Sequence, residues 1–220
     1  MQVSHGRVSL ELHEHRGGEG VPLLFLHALR GSADDWLQPG AGVRRLAAEL
    51  WRGPILALDF CGHGNSGWLR GGAYYPELLA GDADAVLAQV GPMAVAGAGI
   101  GAWVALLLSG ARPDDVRGSL LAPGAGLKGG GALPDFDSEQ ILPSRDPEGG
   151  AGGWDPAVAA LEDDVRPVEY SAAMAAAARR LVFVEDGRAR PPWWQAARAA
   201  AGATAPTLEH ALQQLSGDIG

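Results

Sequence analysis

The sequence lacks the multiple cysteines whose disulfides hold small secreted proteins together. Its 220 residues include a single cysteine, Cys61. One cysteine excludes an intrachain disulfide and also a cysteine cluster for a metal. No apolar run approaches the length that is needed to span a bilayer. The stretch from Met1 to His15 is polar and lacks the apolar core of a signal peptide. These absences predict a cytoplasmic protein.

Basic residues are scarce relative to acidic ones. The chain has 17 Lys and Arg residues against 26 Asp and Glu residues, which gives a net charge of −9. Such an acidic chain is a poor candidate for binding nucleic acid or an anionic membrane surface. Its His, Asp and Glu residues show no convincing metal-ligand spacing. We therefore expect no metal and no cofactor. Frequent Gly, Ala and Arg residues suggest a GC-rich bacterial genome.

Strand-like and helix-like segments alternate over a length that suits one domain. Short apolar runs are typical of strands that are buried on both faces, and apolar residues at helical spacing indicate amphipathic helices. This alternation predicts an α/β fold, with a mostly parallel sheet flanked by helices. The predicted strands are 8–13, 21–26, 54–58, 93–96, 118–122, 181–184 and 203–208. The predicted helices are 43–50, 77–90, 102–108, 156–164, 169–180 and 192–201, with a helix start at 32–35.

The alternation breaks within residues 123–175. The first part, 123–153, is rich in Gly, Pro and acidic residues and predicts a loop or a shortened lid. The sequence thus predicts a single domain, residues 1–220, with a short insert at about 123–175.

Three motifs follow one another at predicted strand ends. They are Leu26-His27-Ala28-Leu29-Arg30-Gly31-Ser32 with Trp36 behind it, Asp59-Phe60-Cys61-Gly62-His63-Gly64-Asn65-Ser66, and Ala96-Gly97-Ala98-Gly99-Ile100-Gly101-Ala102. In order and in spacing they resemble the oxyanion loop, the Asp-x-x-Gly-x-Gly-x-Ser turn and the nucleophile elbow of the α/β-hydrolases. The resemblance is good over 8–122 and looser beyond, and it implies the α/β-hydrolase fold with a reduced lid.

The elbow departs from the Gly-x-Ser-x-Gly pattern at the nucleophile, where this chain has Gly99. Glycine tolerates the positive φ of an elbow, which costs about 1–3 kcal/mol for a residue with a side chain. Loss of a serine nucleophile typically lowers turnover about a million-fold. Glycine-rich elbows without serine also occur in the N-myc downstream-regulated family, which residues 95–107 resemble.

The resemblance implies roles for other residues around the elbow. Leu29 and Ile100 would supply the backbone N–H groups of an oxyanion hole. His27, Trp36 and Ala98 would lie at the pocket, where His27 normally anchors the oxyanion loop and is not a base. Trp36 alternatively fills the core.

The other two members of a hydrolase triad have alternatives. In the family the acid follows strand 181–184, and its usual position here carries Arg188. Asp186 or Glu185 substitutes after a register shift, or both are solvated loop acids. The family's histidine follows the last strand, which puts His210 at the place of the base. Alternatively, His210 lies on the closing helix as a surface residue.

The elbow also matches the dinucleotide fingerprint, because Gly97, Gly99 and Ala102 have its spacing. The acidic residue expected about twenty residues further on is absent, which disfavours this interpretation. The sequence therefore favours a protein without the serine nucleophile that binds a small ligand or a partner. One alternative is a lyase or cyclase that uses the oxyanion hole and a histidine. The other is an esterase-like hydrolase with an unconventional nucleophile, although Cys61 follows a different strand.

Overall fold

A computed structural model describes residues 1–37, 42–71, 73–129 and 153–219. Its strands are β1 (Gln2–His5), β2 (Val8–Arg16), β3 (Leu23–Leu26), β4 (Ile55–Leu58), β5 (His63–Gly64), β6 (Met93–Ala98), β7 (Val116–Ala122), β8 (Gly153–Trp154), β9 (Leu181–Val184) and β10 (Gly202–Ala205). Its α-helices are α1 (Asp34–Leu37), α2 (Gly42–Leu50), α3 (Pro76–Val90), α4 (Ile100–Ala111), α5 (Val168–Ala177), α6 (Pro192–Ala201) and α7 (Leu208–Ile219). A 3₁₀ helix spans Pro156–Glu162.

Eight strands form one twisted sheet in the order β1-β2-β4-β3-β6-β7-β9-β10. β2 pairs antiparallel with β1 and with β4, and the pairings from β4 through β10 are all parallel. The remaining two strands, β5 and β8, form a separate antiparallel pair. The predicted class, a mostly parallel sheet with flanking helices, is confirmed.

The centre of the sheet brings the motif-bearing strand ends together. All residues of β3 and β4 are buried, as expected for short apolar strands covered on both faces. The register pairs Leu26 with Leu58 on one side and with Gly97 on the other. Because these strands are parallel, the three segments that follow them start at the same edge of the sheet. The elbow therefore begins beside the oxyanion loop.

Helices cover both faces of the sheet. On one face α4 lies over β6 and β7 and contacts α3 and α5, and its residues from Ile100 through Ser109 are buried. A helix that is apolar on nearly every side needs such a position. Trp193 and Trp194 of α6 pack into the same core. The opposite face is covered by α1, α2 and α7, with Trp36 stacked on Phe25 at a ring distance of 4.5 Å.

The predicted strands and helices are found with shifted ends, and one helix is of a different type. The last predicted strand, 203–208, is shorter, because β10 ends at Ala205 and α7 begins at Leu208. Pro206 lacks the N–H that would continue a strand ladder. The hydroxyl of Thr207 accepts the His210 N–H at 3.2 Å, which caps the first turn of α7. The segment 156–162 is a 3₁₀ helix rather than an α-helix.

Most of the predicted lid loop, 130–152, lies outside the described residues. The described part of the insert contains β8, the 3₁₀ helix and α5. Among the described helices, none combines the length with the apolar character that crossing a bilayer requires.

Candidate functional site

The sharp turn between β6 and α4 has the geometry of a nucleophile elbow. Gly99 lies at its tip as the N-cap residue of α4, with φ of 58° and ψ of −118°. A Cβ at Gly97 would lie 2.1 Å from the Gly101 carbonyl oxygen, and a Cβ at Gly101 would lie 2.4 Å from the Leu26 carbonyl oxygen. Both flanking glycines are therefore required by backbone contacts. The elbow is formed, and Gly99 provides no side chain for nucleophilic attack.

The space above Gly99 is filled by the chain itself. A Cβ at Gly99 would lie 1.9 Å from the carbonyl oxygen of Ala125, which belongs to the loop after β7. We call residues 124–127 of this loop the strap. Its Gly124 also lies close to the elbow, because a Cβ there would lie 2.9 Å from the Gly99 nitrogen. With the strap in this position, no side chain fits at residue 99.

The Ala125 carbonyl oxygen also lies between two backbone N–H groups beside the elbow. It accepts the Leu29 N–H at 3.1 Å and the Ile100 N–H at 3.0 Å. These N–H groups are the two that the resemblance implies for an oxyanion hole, and donors at such distances stabilise a developing oxyanion. In this protein they hold a peptide carbonyl of the same chain. We call the N–H groups of Leu29 and Ile100 the oxyanion pair; they converge on one internal acceptor, and their assignment as an oxyanion hole stays a prediction.

The strap is a tight turn with a glycine where the backbone requires one. The Leu127 N–H donates to the Gly124 carbonyl at 3.2 Å, and Gly126 between them has φ of 73°. A positive φ at the third residue of such a turn favours glycine. A Cβ at Gly126 would also lie 2.8 Å from Leu29 Cβ and 3.1 Å from Ile100 Cβ. Small residues therefore allow the strap to lie close to the oxyanion pair.

Two side-chain donors fix the far end of the strap. The Leu127 carbonyl accepts Arg166 Nη1 and Trp193 Nε1, both at 2.9 Å. Arg166 is buried and also donates to Asp164, with Nη2 at 3.0 Å from Oδ1. Its guanidinium carbon lies 5.6 Å from the ring centre of Trp103 and 5.8 Å from that of Trp193. Burial lowers the pKa of Arg166, and its hydrogen bond to Asp164 opposes that change.

His27 anchors the oxyanion loop, as the resemblance implies. Its ring is fully buried, its Nδ1 lies 2.7 Å from the Ala28 carbonyl oxygen, and its Nε2 accepts the Phe60 N–H at 3.1 Å. Both ring nitrogens are thus used by backbone groups, with the proton on Nδ1. Burial lowers the pKa of His27 and keeps the imidazole neutral. This arrangement gives His27 a structural role.

The Asp59 carboxylate ties the oxyanion loop to the neighbouring turn. It accepts the Ala33 N–H at 2.7 Å and the Asn65 N–H at 2.9 Å, and His13 Nε2 lies 3.0 Å from it. His63 of the same turn lies against His27, with ring centres 4.8 Å apart. Burial lowers the pKa of His63 to about 3, with a further decrease from His27. A histidine with so low a pKa is a weak base at physiological pH.

The other residues predicted near the pocket lie in the core or at its edge. Trp36 is buried on α1 against Phe25. Ala98 is half-buried at the end of β6, opposite Ala122 of β7. Cys61 is buried, and its N–H donates to the Asp82 carboxylate at 2.8 Å. Within the ranges that the structure describes, no cluster of His, Cys, Asp or Glu could hold a metal ion.

The two candidate acids after β9 are engaged in separate contacts. Asp186 is in an exposed loop, where its Oδ1 accepts Arg190 Nη2 at 2.6 Å and the Arg188 N–H at 3.1 Å. These bonds lower the pKa of Asp186, the Arg188 N–H most strongly. Glu185 accepts Trp194 Nε1 at 2.8 Å. The assignment of Asp186 as a catalytic acid stays a prediction.

His210 lies in the first turn of α7 rather than in a loop after the last strand. Its side chain is exposed, and its Nδ1 is 2.7 Å from the Thr207 hydroxyl. This is the second of the two placements that the sequence left open. The assignment of His210 as a base stays a prediction.

The strap and its anchors were not found from the sequence. The sequence predicts only a loop after β7, and the small residues Gly124, Ala125 and Gly126 directly after this strand are the one local signal. Arg166 and Trp193 are far from the strap along the chain. Their contacts with the Leu127 carbonyl depend on the tertiary structure, so no spacing in the sequence indicates them.

Comparisons with known proteins agree with the fold. No family model matches the chain. Lipase LipV of Mycobacterium tuberculosis is 31% identical over 172 residues, which are 70% of this chain and 61% of the lipase. The chain thus spans about three fifths of the length of that relative.

Solved structures give the fold over the whole chain. The bottromycin epimerase BotH, solved in complex with bottromycin A2, matches with a TM-score of 0.67 at 19% identity, over 100% of this chain and 99% of that one. A thioesterase domain from the curacin biosynthetic pathway matches with a TM-score of 0.67 at 17% identity, over 100% of this chain and 98% of that one. The chain therefore has the α/β-hydrolase fold.

Proposed function

We propose that this protein is a non-hydrolytic member of the α/β-hydrolase fold that binds a small ligand. The observation that carries the proposal is the position of the Ala125 carbonyl oxygen. It lies 1.9 Å from where a Cβ at Gly99 would be, and it accepts both N–H groups of the oxyanion pair. A hydrolase needs a nucleophile at the elbow and a free oxyanion hole beside it. Here the nucleophile is absent and the hole is filled.

The surroundings of the other triad candidates support the same proposal. A catalytic acid orients the histidine base, and the base in turn contacts the nucleophile. Asp186 instead binds Arg188 and Arg190 of its own loop, and His210 binds Thr207 at the start of α7. These contacts are local, as expected for residues without a shared catalytic function.

The three motif segments around the elbow are formed, which is the reason to propose a ligand-binding protein rather than a purely structural one. Asp59 ties the oxyanion loop to the turn that follows β4. The elbow and the oxyanion loop together present two N–H groups that bind a carbonyl oxygen. The net charge of −9 argues against nucleic acid and anionic membranes as partners. A small molecule with a hydrogen-bond acceptor, bound in the cytoplasm, fits these features.

The proposal is tested by looking for an activated nucleophile. The wild-type protein is treated with a fluorophosphonate probe and assayed on short p-nitrophenyl esters, with Cys61→Ala as the control for thiol reactivity. We expect no covalent labelling and no turnover above the background of free imidazole. Labelling of a serine in the wild type would contradict the proposal.

The same assay distinguishes the enzymatic alternative. Turnover without labelling that survives in Cys61→Ala but is lost in a folded Leu29→Pro variant would indicate catalysis by the oxyanion pair. Leu29→Pro removes one of the two N–H donors. That result would favour an enzyme that uses these donors together with a histidine, and it would replace the binding proposal.

A further inference from the structure

The two ends of the strap are held very differently. At residue 127 its carbonyl is fixed by the buried side chains of Arg166 and Trp193. At the other end Gly124 and Ala125 are exposed, and the Ala125 carbonyl is held by the two N–H groups of the oxyanion pair. The Ala125 carbonyl can therefore lift while the chain stays fixed on both sides of it, at Leu127 and at Ala122, whose carbonyl accepts the Gly99 N–H at 3.1 Å.

Lifting the strap would uncover a site with a defined chemistry. The two N–H groups converge on one oxygen atom, at 3.0 and 3.1 Å. Ile100 is the first residue of α4, so the helix dipole favours partial or full negative charge on that oxygen. Gly126 lies against the side chains of Leu29 and Ile100, so its departure would also expose apolar surface beside the donors. Two converging donors beside apolar side chains fit a ligand that carries a carbonyl or carboxylate oxygen on a short hydrocarbon chain.

We propose that the strap competes with ligands for the two N–H groups of the oxyanion pair, that it is hinged between Ala122 and the anchored Leu127 carbonyl, and that the opened site binds the carbonyl or carboxylate oxygen of a short acyl ligand. The Ala125 carbonyl and the ligand oxygen compete for the same two N–H groups. The anchor that Arg166 and Trp193 provide keeps the strap close, so it closes again when the ligand leaves. This inference rests on the proposed function, since it concerns ligand binding at the same site.

The test uses butanoate, a short carboxylate, as the probe. Amide resonances of Leu29 and Ile100 are followed by ¹⁵N NMR during a titration of the wild-type protein, and the exchange of both amides with deuterium is measured without butanoate. Gly126→Ala is the opening variant, because its methyl group would be too close to the Leu29 and Ile100 side chains. Gly187→Ala is the matched control, because Gly187 has φ of 80° and nothing within 4 Å of its added Cβ.

We expect butanoate to shift the Leu29 and Ile100 amides in the wild type. In Gly126→Ala the dissociation constant should fall at least about ten-fold, since the competitor is displaced. The deuterium exchange of both amides should accelerate by a similar factor. Gly187→Ala should resemble the wild type in both measurements. Unchanged affinity in a folded Gly126→Ala variant, or butanoate shifts confined to other residues, would overturn the inference.

A second pair of variants covers the case in which Gly126→Ala does not fold. Trp193→Phe removes one donor to the Leu127 carbonyl, whereas Trp194→Phe removes a bond to Glu185 at a similarly buried tryptophan. Only Trp193→Phe should accelerate exchange at Leu29 and Ile100. Equal exchange in both variants would count against the hinge. Ester turnover by the wild type would contradict the proposed function, whereas absent turnover together with absent butanoate binding would overturn only this inference.

Discussion

Replacing Gly99 with serine is expected to destabilise the protein although it restores the residue usual at the elbow. A residue with a side chain at φ of 58° and ψ of −118° costs about 1–3 kcal/mol. The new Cβ would also displace the Ala125 carbonyl, which lies 1.9 Å from its position. Losing two hydrogen bonds adds about 0.5–1.5 kcal/mol each. The free energy of unfolding should therefore fall by about 2–6 kcal/mol.

The size of this change is measurable by urea denaturation and thermal melting. For a chain of this length about 1 kcal/mol lowers the melting temperature by about 2–4 °C, so a decrease of the order of 10 °C is expected. Fluorophosphonate labelling of Gly99→Ser tests activity in the same samples. We expect no labelling, because Asp186 is bonded to Arg190 and His210 Nδ1 to Thr207, rather than to each other.

A double-mutant cycle isolates the contribution of the strap. Gly99→Ser and Gly126→Ala displace the same strap, so its two bonds are lost only once in the double variant. The two changes should couple by about 1–3 kcal/mol, whereas Gly99→Ser and Gly187→Ala should add within about 0.5 kcal/mol. If Gly99→Ser and Gly126→Ala are additive, the strap does not fill the space above Gly99 and the reasoning is refuted.

Three further predictions concern charged side chains. Arg166→Met should lower the free energy of unfolding by about 2–4 kcal/mol, because it removes a buried donor to the strap. Urea denaturation measures this decrease, and it should show little change for the control Arg112→Met, because Arg112 is exposed. Asp59→Asn should lower the free energy of unfolding by about 1–3 kcal/mol, since an amide cannot accept all the hydrogen bonds of the carboxylate. The control Asp84→Asn, at a partly exposed residue, should lower it less in the same measurement. Burial raises the pKa of Asp82 from 3.8 to about 6. The folded state therefore binds more protons than the unfolded state between these values, so stability from this group is greatest at low pH and is lost as pH rises through about 6. Relative to Asp82→Asn, the wild type should gain about 2 kcal/mol between pH 7 and pH 4 in urea titrations at each pH; a constant difference between the two proteins would show that Asp82 does not titrate in this range.

The fold and the elbow could be predicted because their signals are local. Apolar runs such as those of β3 and β4 determine buried parallel strands, and glycine at 97 is required by the Gly101 carbonyl four residues further on. The place of α7 was also encoded locally. Pro206 ends the strand, and Thr207 caps the helix through the His210 N–H.

The occupation of the oxyanion pair by the strap could not be predicted, because it depends on contacts between distant parts of the chain. The Ala125 carbonyl meets amides from the loop after β3 and from the start of α4. A carbonyl group is present in every residue, so the sequence does not mark the one that fills an oxyanion hole. The residues that hold the strap, Arg166 and Trp193, have no motif of their own.

The missing serine and the strap are two aspects of one arrangement. A Cβ at residue 99 and the Ala125 carbonyl require the same space, since 1.9 Å separates their positions. The strap can therefore close only over a glycine, and a side chain at the elbow requires an open strap. Because closure also satisfies both oxyanion N–H groups, it removes the energetic cost of leaving buried donors without a partner. The elbow and the neighbouring loop are thus retained without a nucleophile. Their two N–H groups bind a carbonyl oxygen that the chain itself supplies.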